Sequence, residues 1–176
     1  TSAPTSSDVA FKLPNADGSA NQLMKTDGSG NLSFFAPPAF RAYLGSAQTL
    51  ANATSSVIIF GTETFDSNSF YNTSDGKFTP TIAGYYFINA QLQFSQSTAN
   101  YRYRTRIYKN GSGILNNQSW NDGSNSELNN PISDIVSANG SSDYFQIVGE
   151  QHSGGNITIT NGSTATFFEA FYIRPL

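Results

Sequence analysis

Cysteine is absent from the 176 residues of this chain. Neither a disulfide framework nor a thiolate metal site can be built without it, so stability has to come from packing and assembly. Charge is scarce as well. Asp, Glu, Lys and Arg together make up 12% of the residues, about half the usual share. The formal net charge is −3 and the sequence pI is about 4.9, so the basic field of a general nucleic-acid binder is missing. No apolar run approaches the roughly 18 residues that a spanning helix needs, and no secretion-leader pattern is visible. Neither nucleic acid nor membrane insertion is therefore expected. Helix formers are thin, and no segment of ten residues carries helical periodicity. There is one His and one Trp.

In their place stand Gly, Ser, Thr and Asn, with aromatic residues at 14%. That mixture suits short strands with aromatic interiors joined by polar turns. The 19.0 kDa chain is one domain of ordinary size with a short appendage. It opens Thr1-Ser2-Ala3-Pro4, without Met, and reads as a portion of something longer.

Residues 1–7 are small and polar and are expected to be disordered or extended. Val9, Phe11 and Leu13 alternate with polar neighbours, which predicts a strand. Asp17-Gly18 and Asp27-Gly28-Ser29-Gly30 are turns around a second apolar spot at Leu23 and Met24, and Leu32, Phe34 and Phe35 follow. Strands this few cannot bury a core alone. Ala36-Pro37-Pro38-Ala39 is a stiff joint, because tandem proline forbids helix. It divides a 1–37 stalk or attachment segment from a 38–176 head.

Beyond the joint, strand follows strand: 40–44, 57–60, 85–94, 101–109, 132–136, 144–150, 156–160 and 165–174. Asn110-Gly111, Asp122-Gly123, Asn139-Gly140, Gly154-Gly155 and Asn161-Gly162 supply turns between them. In 85–94, Tyr86, Ile88, Ala90, Leu92 and Phe94 share one face. Short strands at this spacing predict an all-β sandwich or barrel.

Phe60, Asp66, Tyr71, Phe78, Gly84 and Tyr86 carry more than propensity. Their spacing resembles the signature of the complement C1q globular head, a family grouped with the tumour necrosis factor cytokines. Downstream, Asp143-Tyr144-Phe145-Gln146-Ile147 resembles that family's sixth-strand entry, and 167–173 resembles its closing strand, with Ala170 where Gly is usual. Ile88 and Ala90 also depart from the family's aromatics. The resemblance implies a ten-stranded jelly-roll sandwich, a homotrimer, and a binding fold rather than an enzyme. Separately, Phe11-Lys12-Leu13-Pro14, Ala16-Asp17-Gly18 and Lys25 through Leu32 resemble a repeat of tailed-bacteriophage fibre and virion proteins. Together the two resemblances imply a virion-surface appendage, such as a tail fibre or spike. Its stalk would meet other virion proteins, and its head would meet a host-surface glycan or protein. The alternatives are a capsid or tail decoration protein without a host ligand, and a secreted lectin-like head.

In the closing strand, Phe168, Ala170 and Tyr172 occupy one face, and Phe167, Phe171 and Ile173 the other. An ordinary antiparallel sandwich strand shows water a polar row, so this one reads as covered twice. Tyr85, Phe87, Phe167, Phe171 and Ile173 are the candidate trimer contacts, and loops of the same chain are the competing cover. For a ligand, the candidates are Arg102, Arg104 and Arg106, on one side of the 101–109 strand. Trp120 joins them, read as lying in a polar loop 116–130. Guanidinium forks suit carboxylate or phosphate, and the competing reading pairs the arginines with acids of a neighbouring subunit. His152 reads as a solvated loop residue. No nucleophile elbow or carboxylate pair is apparent, so no catalytic residue is assigned. No cofactor is expected. The alternative is calcium on Asp122, Glu127 and Asp134, although these match no calcium motif of the family and no EF-hand loop. Gly84, ahead of a strand, predicts a close backbone approach.

Overall fold

A computed structural model describes residues 10–95, 101–121 and 126–176. The chain divides into two compact units, Thr1–Pro37 and Pro38–Leu176. The expectations placed on residues 1–7, Val9, Asp122 and Gly123 lie outside the described residues.

The first unit is one hairpin. β1 (Leu23–Thr26) pairs antiparallel with β2 (Leu32–Phe35), Leu23 opposite Phe35 and Thr26 opposite Leu32. The Asp27 carboxylate closes the turn. It accepts from the backbone N–H of Ser29 at 2.8 Å and of Asn31 at 3.1 Å, and from the Asn31 amide at 2.6 Å. Those bonds, led by Asn31, hold its carboxyl below the usual carboxylate range. The strand read at Phe11 and Leu13 is reduced to a single parallel bridge, Lys12 to Asn31. Leu23 and Met24 stay more than half exposed, at 58% and 53%. Two strands make no interior of their own.

The second unit is a sandwich of two antiparallel sheets, with no helix among the described residues. Its strands are β3 (Ala39–Tyr43), β4 (Gln48–Leu50), β5 (Ser56–Val57), β6 (Thr62–Asp66), β7 (Tyr71–Asn72), β8 (Lys77–Phe78), β9 (Gly84–Phe94) and β10 (Arg102–Lys109). They continue as β11 (Ser112–Trp120), β12 (Leu128–Ala138), β13 (Phe145–Gln151), β14 (Ile157–Ile159) and β15 (Phe167–Arg174). One sheet runs β7-β8-β13-β10-β11, with β5 also on β13. The other runs β6-β3-β15-β9-β12, with β14 joined to the end of β9 and β4 to β14. The short strands are those in which side chains and turns interrupt the ladder. The 57–60 expectation shrinks to Ser56–Val57, because beyond it the Phe60 N–H bonds to a side chain, the Tyr71 hydroxyl.

The longest strand shows why the sandwich forms. Along β9, burial alternates at every residue, with Tyr86, Ile88, Ala90, Leu92 and Phe94 fully inside. Tyr103 and Ile107 of β10 and Phe145 and Ile147 of β13 come to the same core from the opposite sheet. The Phe94 and Tyr103 ring centroids are 5.2 Å apart. At the other end Phe40 stacks on Tyr71 at 4.9 Å and on Phe78 at 4.7 Å, and meets Phe168 edge-on at 4.9 Å. Phe60, Tyr71, Phe78 and Tyr86 thus belong to one aromatic interior, and each buried ring contributes about 2–3 kcal/mol.

The two ends of the 116–130 stretch are strand and not the polar loop that composition suggests. Asn116 through Trp120 continue β11, and β12 begins at Leu128. The hairpin β10–β11 turns at Asn110-Gly111, whose φ values of 52° and 79° suit such a tight connection. β11 is an edge strand, so it buries little and tolerates Asn, Gln and Ser. Pro131 is accommodated in β12 because β9 pairs with only one side of that strand.

Candidate functional site

β10 lies between β11 and β13, and alternation sends its residues to opposite faces. Tyr103, Thr105 and Ile107 are buried. The Thr105 hydroxyl donates to the Asn130 carbonyl at 2.9 Å, and the Asn130 amide returns a bond to the Tyr103 carbonyl at 3.2 Å, tying the two sheets together. Arg102, Arg104 and Arg106 rise from the outer face.

Glu150 stands in their midst, directly opposite Arg104 in the ladder. β13 is central and buried along its length, so this carboxylate is only 7% exposed. Arg104 Nη1 donates to Glu150 Oε1 at 2.9 Å, and Arg106 Nη2 reaches Oε2 at 3.0 Å. The Ser55 hydroxyl donates to Oε2 at 2.6 Å, and His152 Nε2 is 2.7 Å from Oε1. Burial pushes the Glu150 carboxyl upward, but Ser55, His152, Arg106 and Arg104 outweigh it and hold the value down to about 2. The acid facing the arginines therefore comes from the same chain and not from a neighbouring subunit. His152 is part of this cluster rather than a solvated loop residue.

The cross-strand partners on β11 complete the array. Arg104 Nε donates to Gln118 Oε1 at 2.9 Å and Arg106 Nε to Asn116 Oδ1 at 3.3 Å. Arg102 sits opposite Trp120, whose side chain is 61% exposed. Arg102 Nη2 lies 2.6 Å from His152 Nε2 but 3.7 Å from the Glu150 carboxylate. Its Nε is buried without a hydrogen-bond partner among the described residues. A shallow hollow of about 280 Å³ opens further along, between Arg106, Tyr108 and residues 113–116.

The four sequence-predicted ligand residues therefore share one face, which β11 makes possible by being a strand. Sequence reading missed Glu150, His152 and Ser55. Glu150 does close the predicted 144–150 strand, but nothing in the sequence makes that strand the neighbour of β10. Of the calcium candidates, Asp122 is outside the described residues, and Glu127 and Asp134 are separated by the extended start of β12, roughly 20 Å. Asp134 instead accepts from the Ile135 N–H at 2.8 Å.

A second feature occupies the outer face of the other sheet. Ile135, Phe87 and Phe171 stand side by side on β12, β9 and β15. The two Phe rings are 5.3 Å apart, while Ile135 and Phe171 are 59% and 49% exposed. One rung away, Glu169 pairs with Arg41 and accepts from the Asn89 amide at 2.8 Å. Arg41 also lies over the Phe167 ring at 4.2 Å, which half-covers it. A bulge shifts the end of β15, so Arg174, not Ile173, stands opposite Tyr85 and packs on its ring at 4.5 Å. Ile173 remains 42% exposed.

The C1q domain family matches residues 39–150. No curated protein matches the chain in sequence. Among solved structures, the globular domain of zebrafish complement 1qA protein is similar at 17% identity and a TM-score of 0.60, covering 80% of this chain and all of that one. Murine APRIL is similar at 7% identity and a TM-score of 0.59, covering 78% of this chain and all of its own. The Eiger TNF of S. frugiperda follows at 7% identity and 0.57, covering 80% of this chain and 96% of that one. Identities this low carry the jelly-roll fold alone.

Proposed function

This chain belongs to the C1q domain family, and from that premise we propose that it is a non-enzymatic, homotrimeric appendage protein of a tailed-bacteriophage virion, whose head grips the host surface. The observation that carries the reading is the apolar row Ile135–Phe87–Phe171, on the sheet face turned away from the core. A row of this kind on a soluble head is covered by another surface. Copies of the same chain are the simplest cover, and a family known for trimers favours three of them. Tyr85, Phe87, Phe167, Phe171 and Ile173 then lie in or beside the contact. The signature residues are engaged in packing, which supports a scaffold that binds rather than converts. The phage assignment rests on the likeness of residues 11–32 to virion repeats, and the 1–37 segment is the natural attachment to other virion proteins. Threefold display makes a weak single-site affinity sufficient.

Sedimentation equilibrium of the purified chain tests assembly: a species three times the 19.0 kDa chain mass is expected, and a monodisperse monomer at micromolar concentration overturns it. Labelled head on whole host cells tests attachment. A second reading, a secreted head with no virion, draws on the family itself. Genes of phage structural proteins beside the coding sequence exclude it, and their absence favours it.

A further inference from the structure

The arginine face is uneven. Glu150 has two oxygens, and both carry short bonds to guanidinium groups: Oε1 to Arg104 at 2.9 Å and Oε2 to Arg106 at 3.0 Å. Both residues are also fixed through Nε, by Gln118 and Asn116. They form the frame of the sheet. Arg102 is left outside that frame, 3.7 Å from the carboxylate. Among the described residues its guanidinium has the His152 ring beside it, Nη2 to Nε2 at 2.6 Å. One acid against three guanidiniums leaves two positive charges uncompensated; Arg104 and Arg106 share the carboxylate, and Arg102 is the guanidinium without a short bond to it. The same rung presents the most exposed aromatic of the head, Trp120, at 61%. A cation and an indole plane in register on rigid strands form a two-part receptor. The guanidinium fork takes a planar anionic group. The indole takes the apolar C–H face of a ring whose rim carries hydroxyls. Next along β11, Gln118 gives its Oε1 to Arg104, and its amide nitrogen remains a donor for such a hydroxyl.

We infer that Arg102 and Trp120 are the recognition pair of the head, and that their ligand is an anionic sugar residue bearing a carboxylate or phosphate, held with its ring on Trp120 and its charge on Arg102. This rests on the reading of the head as a surface-gripping device, and names the chemistry it grips. Arg104 and Arg106 are positioning residues that hold the sheet and do not touch the ligand.

Trp120 is the only tryptophan in the chain, so its fluorescence reports on this site alone. The full chain is titrated with oligogalacturonate, with phosphorylated mannan oligomers and with neutral dextran oligomers. Saturable quenching by one or both anionic probes and none by dextran is expected, and the two anionic arms separate carboxylate from phosphate. Arg102→Gln is expected to weaken binding at least tenfold. Arg102→Lys should recover part of that loss, and Lys77→Gln, remote from the pair, should change nothing. Trp120→Ala, followed by calorimetry, should weaken binding by a similar factor. Circular dichroism confirms that each variant is folded. Equal quenching by dextran, or full affinity in folded Arg102→Gln, overturns the proposal. If none of the probes quenches while labelled head still decorates host cells, this inference fails and the attachment reading stands. If cells are not decorated either, both fail.

Discussion

The backbone N–H of Phe60 donates to the hydroxyl of Tyr71 at 3.2 Å, deep inside the head. Eleven residues apart in sequence, these two signature positions are one physical unit. Asp66 joins them by accepting from the Tyr71 N–H at 2.8 Å. Burial pushes the Tyr71 hydroxyl well above its ordinary range, so it stays neutral and available. Tyr71→Phe keeps the ring stack on Phe40 and strands a buried N–H, which costs about 1–3 kcal/mol. Urea denaturation should show that loss at an unchanged slope. An unaltered midpoint would mean that the bond contributes nothing.

At Gly84, a side chain has nowhere to go. A Cβ there would meet the ring of Tyr172 and lie 2.7 Å from the Arg174 carbonyl. Gly84→Ala must push the closing strand away from β9, at a cost of about 1–3 kcal/mol or more. Thermal unfolding should register a clear fall in Tm, and a fully native melting curve would contradict the crowding.

Acid should reach this protein partly through Glu150. Its carboxyl sits at about 2 in the folded chain against an ordinary 4.5. The group therefore stabilises the fold above pH 4.5, and that contribution, a few kcal/mol at most, fades as pH falls toward 2. Stability measured at pH 5.5 and at pH 3 should differ less in Glu150→Gln than in the parent. Glu150→Gln should also be weaker than the parent at pH 7, because it leaves Arg104 and Arg106 without their acid. Parallel pH profiles for parent and variant would remove Glu150 as the sensor.

The proposed trimer contact through the outer apolar row makes a sharp demand on Phe87 and Phe171. A carboxylate at either position would have to be desolvated in the contact. Phe171→Asp should sediment as a monomer with a native far-ultraviolet spectrum, whereas a surface change such as Lys77→Gln should leave the trimer intact. Phe171→Asp sedimenting like the parent would place the contact elsewhere.

Much of the sandwich was legible because β9 and β10 alternate along their length. β9 and β10 announce inner rows that carry Tyr, Ile, Leu or Phe, Phe145 and Ile147 mark the start of β13, and the spacing from Phe60 to Tyr86 ties the fold to its family. Less was legible where burial is slight. β11 is an edge strand of Asn, Gln and Ser, so no apolar rhythm marks it, although Asn110-Gly111 is a strong hairpin signal. Reading it as a loop hid the pairing of Trp120 with Arg102. The outward row of arginines followed from alternation, but Glu150 did not. Its place beside them depends on β13 crossing back between β10 and β8, a long-range choice that no local pattern encodes. In β15, alternation gave the two faces correctly as far as the bulge, which then substitutes Arg174 for Ile173.

The internal counter-ion at Glu150 also bears on selectivity in a crowded medium. Three bare guanidiniums in a row would act as a comb for any passing polyanion, and debris of nucleic acid or shed polysaccharide would foul it. With one of the three charges cancelled and two guanidiniums held by the chain's own acid, stray polymers find a single prong free to fork onto them. On the proposed reading, such a surface favours a group shaped for the gap.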